Sequence, residues 1–371
     1  MYKVMGLCNL HHSPELGELT ANRPLASTSF LGRYALIDFT LSNFSNSDID
    51  DVGILVKHGA RSILKHLGSA NVWKANTKLG FEAIMFNEKM VNNPRYNHDL
   101  NNIRANDWVF FDRAPDYFVI APVHFLMPID FRRVIEEHIK NKAELTLVYA
   151  PVTNGKSNFI GSEVVTLDAN GLVSGIHENK GTVDEIDVSL ETYVINRATL
   201  WELMKRAAAT SSFFGLNDII GYCCRKGEKV HSFKHEGYVR CFDSLSHYLA
   251  HSLELLNYGV RRQLFKPDWP IYTVTHDTPP AKYGLTAEVK DSFIANGAIV
   301  NGTVERSIIS RSVKVEEGAM VRNSIILTDT VIGKGLVLDN VVVDKYAHLT
   351  HAQVIQGEPD EPLYIKQGDI I

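Results

Sequence analysis

The sequence predicts an α/β protein: a Rossmann-like domain with a mixed, mostly parallel sheet, then a C-terminal left-handed parallel β-helix of hexapeptide repeats. Three observations predict it. At 371 residues the chain is too long for one ordinary core, so two domains are expected. Residues 1–245 alternate short apolar runs with helical patterns, which implies strand–helix–strand units with helices on both faces of a sheet. From residue 286 to 371 aliphatic residues recur every six positions, the signature of a parallel β-helix. Residues 246–285 form a linker carrying one helix.

In chain order, Val4–Cys8 reads as the first strand and Leu10-His11-His12-Ser13-Pro14-Glu15 as the loop leaving it. Val52–Val56 is a buried strand, Ala60–Leu67 a helix, and Tyr117–Ala121 another buried strand. Phe131–Lys142 has helical spacing, and Glu144–Ala150 returns as a strand. Val164–Leu167 and Leu172–Ile176, split by Asp-Ala-Asn-Gly, read as a hairpin. Ligands of such sheets sit at the C-terminal strand ends, so Cys8–Glu15 and Ala121–His124 border a site. His247–Tyr258 suggests the linker helix, and Pro267-Asp-Trp-Pro270 and Pro279-Pro280 break structure after it. In the repeat region Val313, Ala319, Ile325, Val331, Val337, Val343 and Leu349 hold one six-residue phase. The phase slips near Val304–Ser307, where one extra residue is expected to bulge out at a corner.

Composition excludes several classes. Hydrophobic residues make up 45% and charged residues 22%, a globular balance. A net charge of −5 and a pI near 6.3 argue against general nucleic-acid binding. No apolar run approaches the roughly 20 residues that span a bilayer, and Met-Tyr-Lys-Val-Met-Gly is no signal-peptide start. A cytoplasmic protein with no membrane partner is expected. Cys8, Cys223, Cys224 and Cys241 form no CxxC pair, so buried, reduced thiols are expected. His247 and His251 have an i, i+4 spacing that can bind zinc, but no third ligand follows, and no metal site is expected there.

Leu10–Glu15, Leu16-Gly17-Glu18-Leu19-Thr20 and Leu31-Gly-Arg-Tyr-Ala-Leu-Ile-Asp-Phe-Thr-Leu-Ser-Asn43 carry a resemblance. They resemble the opening of bacterial glucose-1-phosphate adenylyltransferases (ADP-glucose pyrophosphorylases), and the likeness extends over nearly the whole chain. The resemblance implies a nucleotidyltransferase domain. Such an enzyme positions two anions and neutralises charge at phosphorus. It needs a glycine-rich loop, cations, and carboxylates that hold Mg²⁺.

Position by position, those groups are missing. The family's Gly-Gly-x-Gly-Thr-Arg loop is Leu10–Glu15, so Glu15 replaces a phosphate-binding arginine and Pro14 removes an amide donor. Its Lys-Arg-Ala-Lys-Pro is Asn22-Arg23-Pro24-Leu25-Ala26, with Leu25 in place of the second lysine. Its metal-binding Ser-Gly-Asp-His is Ala121-Pro122-Val123-His124, with Val123 for the aspartate. Its Tyr-Trp-Arg-Asp is Tyr238-Val239-Arg240-Cys241, with Cys241 for the second aspartate. Its Gly-Thr-Ala-Asp-Ala is His98-Asp99-Leu100-Asn101-Asn102, and its Glu-Lys-Pro is Glu178-Asn179-Lys180, with Asn179 for the sugar-phosphate lysine.

The resemblance therefore implies a subunit with no catalytic residues of its own and no cofactor, like the D-type regulatory subunit of the family. That branch forms mixed tetramers with a catalytic adenylyltransferase subunit, which holds the Mg²⁺, in glycogen biosynthesis. The family's activator positions correspond to Asn22, Ser29 and Ala35, so the usual activator site is weakened as well. Arg23, Arg33, Lys57, Arg61 and Lys65 remain as candidates for a phosphorylated effector, or as solvated surface charge. His124 is a retained position and a candidate for residual nucleotide contact, whereas His11-His12 reads as a drifted loop. Two alternatives stand beside this reading. One is an active sugar-phosphate nucleotidyltransferase using Asp243 and Asp130 as substitute ligands. The other is a hexapeptide-repeat acyltransferase, with His348 and His351 as the only histidines of the repeat region.

Overall fold

Strand β1 (Val4–Asn9) forms the middle of a nine-stranded sheet. The computed structural model describes residues 2–68, 71–73, 81–87 and 94–371, and these fall into two units. The first holds residues up to Ser13, Phe39–Cys241 and Trp269–Tyr272; the second holds Pro14–Asp38, Phe242–Asp268 and Thr273–Ile371. The boundaries thus differ from a simple linear division, because Pro14–Asp38 belongs with the β-helix.

In the first unit β1 pairs in parallel with β2 (Asp51–Val56), which pairs in parallel with β3 (Phe81–Phe86). On its other side β1 pairs in parallel with β4 (Tyr117–Pro122). The remaining strands are β5 (Leu145–Val152), β6 (Glu163–Leu167), β7 (Val173–Glu178), β8 (Ile186–Asn196) and β9 (His231–Lys234). The sheet runs β7-β6-β8-β4-β1-β2-β3, with β5 also on β8 and β9 on β5. Strands β6 and β7 are the antiparallel hairpin anticipated from the sequence.

The chain forms these strands because apolar residues run almost without interruption along β1, β2 and β4, as expected of strands covered on both faces. Helix α1 (Ala60–Leu67) lies between β2 and β3. The helices α2 (Asp99–Ala105), α3 (Asp107–Arg113), α5 (Arg197–Thr210) and α6 (Leu216–Arg225) bury Leu100, Phe110, Leu203 and Leu216 in one core with sheet residues. Helix α4 (Phe131–Lys140) starts on Asp130, whose carboxylate accepts the Arg132 N–H at 3.0 Å.

In the second unit the expected helix His247–Tyr258 is two helices, α7 (Leu245–Glu254) and α8 (Tyr258–Leu264). Asn257 divides them by capping α8, accepting from the Gly259 and Val260 N–H groups.

The β-helix has three five-stranded parallel sheets. Its period corrects the sequence expectation. Thr303 pairs with Met320 and Met320 with Val337, seventeen residues on each time. The inward stack is therefore Val315, Val321, Ile326, Ile332, Leu338 and Val343, with one five-residue step per rung. A strict six-residue phase instead selects Val331 and Val337, which are only half-buried. The anomaly near Val304–Ser307 is not an extra residue but one fewer, and the same corner is equally short from Val321 to Ile326 and from Leu338 to Val343, whereas between Ile355 and Ile365 it is lengthened by an insertion. Arg306, Asn323 and Asn340 make that tight corner with left-handed backbone. Ser307 and Ser324 fill it: the Ser324 N–H donates to Ser307 Oγ at 3.1 Å, and the Val341 N–H to Ser324 Oγ at 3.1 Å.

Candidate functional site

In the first unit β1 ends in a buried polar network rather than an open loop. Leu10 N–H donates to Leu55 O at 3.1 Å, which keeps the chain beside β2. His11 is buried, with its Nδ1 at 3.3 Å from Asn97 O and its Nε2 at 3.0 Å from the Asn102 amide nitrogen. This pattern requires a neutral ring that donates from Nδ1 and accepts at Nε2. Burial agrees, lowering the His11 pKa to about 4.

His12 behaves in the opposite way. Its Nε2 lies 3.2 Å from Asp99 Oδ2. Burial opposes its charge, but the hydrogen bond and charge of Asp99, helped by Glu191 and Glu163, raise it to about 9. Asp99 is fully buried at the start of α2 and accepts from Asn9 Nδ2 at 2.9 Å, the Leu216 N–H at 2.9 Å and the Leu100 N–H at 2.7 Å. Burial alone would raise this carboxyl, but its bond to His12, the charges of both histidines and the Leu216 N–H hold it well below the usual range. Gly215 permits the contact, since a Cβ there would sit 3.0 Å from Asp99 Oδ1.

Two more carboxyls complete the network. Strand β8 shifts register between Ser189 and Thr192, and Glu191 within that bulge has a left-handed φ of 45°. Bulges re-aim side chains, and Glu191 Oε1 sits 3.6 Å from Nε2 of buried His124. Glu163, at the start of β6, keeps Oε2 buried with no hydrogen-bond partner among the described residues. Burial and then the charge of Glu191 raise it to about 7.

The remaining sequence-selected positions of this unit carry no carboxylate and no cation facing the site. Val123 is 1% exposed at the end of β4. Cys241 is buried in a two-residue ribbon against Phe125, with Sγ 4.0 Å from Ser162 Oγ. Asn179 is turned into its own loop: Nδ2 lies 2.8 Å from Gly155 O and 2.9 Å from Phe159 O, and Oδ1 accepts from the Gly181 N–H. Lys180 is exposed. Among the described residues no group of three or more His, Cys, Asp or Glu is placed to hold a metal ion. The proposed substitutes are engaged elsewhere, Asp130 with Arg132 and Asp243 with His247. His247 and His251 stack on each other, with ring centroids 5.1 Å apart.

The anion candidates divide between the units. Lys57, Arg61 and Lys65 are exposed residues of the first. In the second, Glu15 is exposed and Leu25 is buried in a short turn. Arg23 is not free for an effector: it is buried and paired with Asp344, which also accepts from the Tyr364 hydroxyl at 2.6 Å. Arg33 stands differently. With Arg261, Arg311, His276 and Tyr34 it lines a cavity of about 440 Å³ within the second unit. Arg311 Nη2 donates to Arg33 O at 3.3 Å. Burial and then the Arg33 charge lower the Arg311 pKa, with Asp38 opposing them. Sequence reasoning did not select Arg261 and Arg311, which no motif marks.

The comparisons match this architecture. Residues 15–245 match the nucleotidyl transferase family model, and residues 279–362 match the GlmU-like C-terminal hexapeptide model. The "Glycogen biosynthesis protein GlgD" of Bacillus subtilis (strain 168) is 30% identical over 95% of this chain and 92% of its own length. The chain belongs to the glucose-1-phosphate adenylyltransferase family of nucleotidyltransferases. The adenylyltransferase of Bacillus thuringiensis (strain Al Hakam) is 25% identical over 95% of both chains. That of Dechloromonas aromatica (strain RCB) is 26% identical over 93% of this chain and 84% of its own length.

Proposed function

We propose that this chain is a regulatory and assembly subunit of glucose-1-phosphate adenylyltransferase, the enzyme that makes ADP-glucose and pyrophosphate from ATP and glucose 1-phosphate. On this reading it lacks robust turnover, joins a catalytic subunit in a mixed oligomer, and serves glycogen biosynthesis in the cytoplasm. The observation that carries the reading is the network at the end of β1. Three carboxyls, the buried Asp99 and the half-buried Glu163 and Glu191, line the region that a polyphosphate would approach. They repel a triphosphate, and Asp99 and Glu191 are paired with His12 and His124 rather than arranged for Mg²⁺. Metal assistance is worth several kcal/mol of transition-state stabilisation, and each ~1.4 kcal/mol is tenfold in rate. The residues present do not fit the metal, so no catalytic step is assigned to them. The partner would supply the Mg²⁺.

The cavity of Arg33, Arg261 and Arg311 supports a regulatory role, since clustered guanidinium groups suit phosphate or carboxylate. An active enzyme with substitute ligands is less well supported, because Asp130 and Asp243 are already paired. An acyltransferase is less well supported too, because His348 and His351 are exposed at the last turns of the β-helix.

The decisive assay measures ADP-glucose formation by the purified chain, then by the chain with a catalytic homologue from the same organism. The expected result is negligible turnover alone, a mixed oligomer by sedimentation, and altered kinetics of the homologue. Robust turnover by the lone chain overturns the proposal.

A further inference from the structure

The outer edges of α2 and α5 border a cleft of about 260 Å³ in the first unit, lined by His98, Leu100 and Asn101 beside Asp99 and by Phe214 close to Leu216. Asn101 and Arg104 of α2 form one wall, Ala208 and Ser211 at the end of α5 the other, and Leu100 and Met204 contribute apolar surface. Aromatic stacks flank it. Tyr96 and Phe213 stack with centroids 5.2 Å apart and planes at 16°, and Phe213 is 48% exposed. Phe111 stacks on Trp201 at 5.9 Å and 18°, and Phe111 is 70% exposed. Trp201, Met204 and Ala208 recur at helical spacing along α5, and Phe213 lies just beyond the last residue of that helix, Thr210.

Rings exposed to this extent mark a contact surface, and the chemistry around them selects the occupant. Arg104 has no ion pair among the described residues, so its planar donors are free to bridge neighbouring hydroxyls. Asn101 spends Nδ2 on Tyr96 O at 2.9 Å, and its Oδ1 accepts from no described donor. Flat apolar faces alternating with amide, hydroxyl and guanidinium groups match a ligand with C–H faces and hydroxyl edges. An anion fits less well. Among the described residues Arg104 is the only lysine or arginine lining the cleft, and α5 ends there with its partial negative charge. The cleft is smaller than the roughly 300–1,000 Å³ of drug-sized pockets, so it suits one sugar ring, with its neighbours resting outside.

We propose that this α2–α5 face binds a neutral oligosaccharide, with one hexose in the cleft and adjoining hexoses on the Tyr96–Phe213 and Phe111–Trp201 stacks. The site is separate from the regulatory reading and needs no catalytic partner. The test titrates the full chain alone with maltoheptaose and with cellohexaose, following the fluorescence of its tryptophans and, independently, calorimetric heat. At least one sugar should bind saturably at millimolar concentration. Phe213→Ala and Arg104→Gln should each weaken it about tenfold. Both positions are exposed, so the thermal midpoint should not move; Phe111→Ala provides a second ring variant. Saturable binding of neither sugar overturns the proposal, as does unchanged affinity in all three variants. So does a change in sedimentation mass in Phe213→Ala with sugar affinity intact, which would make the face a contact between subunits.

Discussion

At the residue scale, the His12–Asp99 pair and Glu163 make pH a direct probe of the network. His12 is raised from its ordinary 6.5 to about 9. The native state therefore holds an extra proton between those values, and the stability this gives is complete below about 6.5 and lost as pH rises through about 9. Glu163, raised from 4.5 to about 7, has the same sign, and its contribution is lost as pH rises from 4.5 through 7. Asp99 has the opposite sign, and its contribution is lost only on acidification below its ordinary value of 3.8. His11, lowered from 6.5 to about 4, has the opposite sign to Glu163 and offsets it as pH rises toward 6.5. The urea midpoint of the first unit should thus fall chiefly between pH 6.5 and pH 9. Glu163→Gln should leave the fall above pH 7 in place and uncover a rise between pH 5 and pH 6.5. His12→Gln should lower stability by a few kcal/mol at pH 7, because it leaves Asp99 buried and unpaired. A flat profile in the parent chain would mean that the network is not charged as described. The strand ends give a second residue-scale prediction. Val123→Asp with Cys241→Asp places two carboxylates where each present side chain is at most 2% exposed. The double variant should melt lower in a chelator and recover with Mg²⁺, before any turnover appears. No recovery would refute the equivalence of these positions with the family's metal ligands.

At the element scale, legibility depended on whether the local pattern and the tertiary constraint agreed. Helix α1 was readable to its ends because Gly59 and Gly68 flank an amphipathic run. The strands β2 and β4 were readable within a residue because they are continuous apolar runs. The β-helix was readable as a class but not in phase, because its five-residue corner depends on a serine and a left-handed residue rather than on an aliphatic signal. Positions 15, 25, 123, 179 and 241 were selected by motif comparison alone. The network at the end of β1 was not selected at all. Glu191 reaches its place through a bulge that no alternation pattern reveals, and Asp99 acquires meaning only beside His12 and Leu216. The serine corner can be tested. Ser324→Ala leaves the Val341 N–H unbonded at a fully buried residue, and should cost about 1–3 kcal/mol. The guanidinium chloride midpoint of the β-helix transition should drop accordingly, whereas Ser292→Ala, at a half-buried position of the first rung, should cost less. Equal effects would show that burial of the corner does not set its strength.

At the scale of the whole molecule, the net charge of −5 conceals two opposite local fields. The first unit surrounds the end of β1 with carboxyls answered by His12 and His124, while the second gathers Arg33, Arg261 and Arg311 round one cavity. A polyphosphate added to the lone chain meets repulsion in one and attraction in the other, and a ligand that binds only the folded form stabilises what it binds. ATP without added metal should therefore slow amide exchange in the second unit, around Arg33 and Phe293–Arg311, and leave Asn9–His12 and Leu216 unchanged. Arg261→Gln with Arg311→Gln should remove that protection, and raising ionic strength should weaken it in the parent chain as counterions screen the cavity. Protection centred on Asn9–His12 would place a working phosphate site where the internal network now stands, and the regulatory reading would then lose its main support.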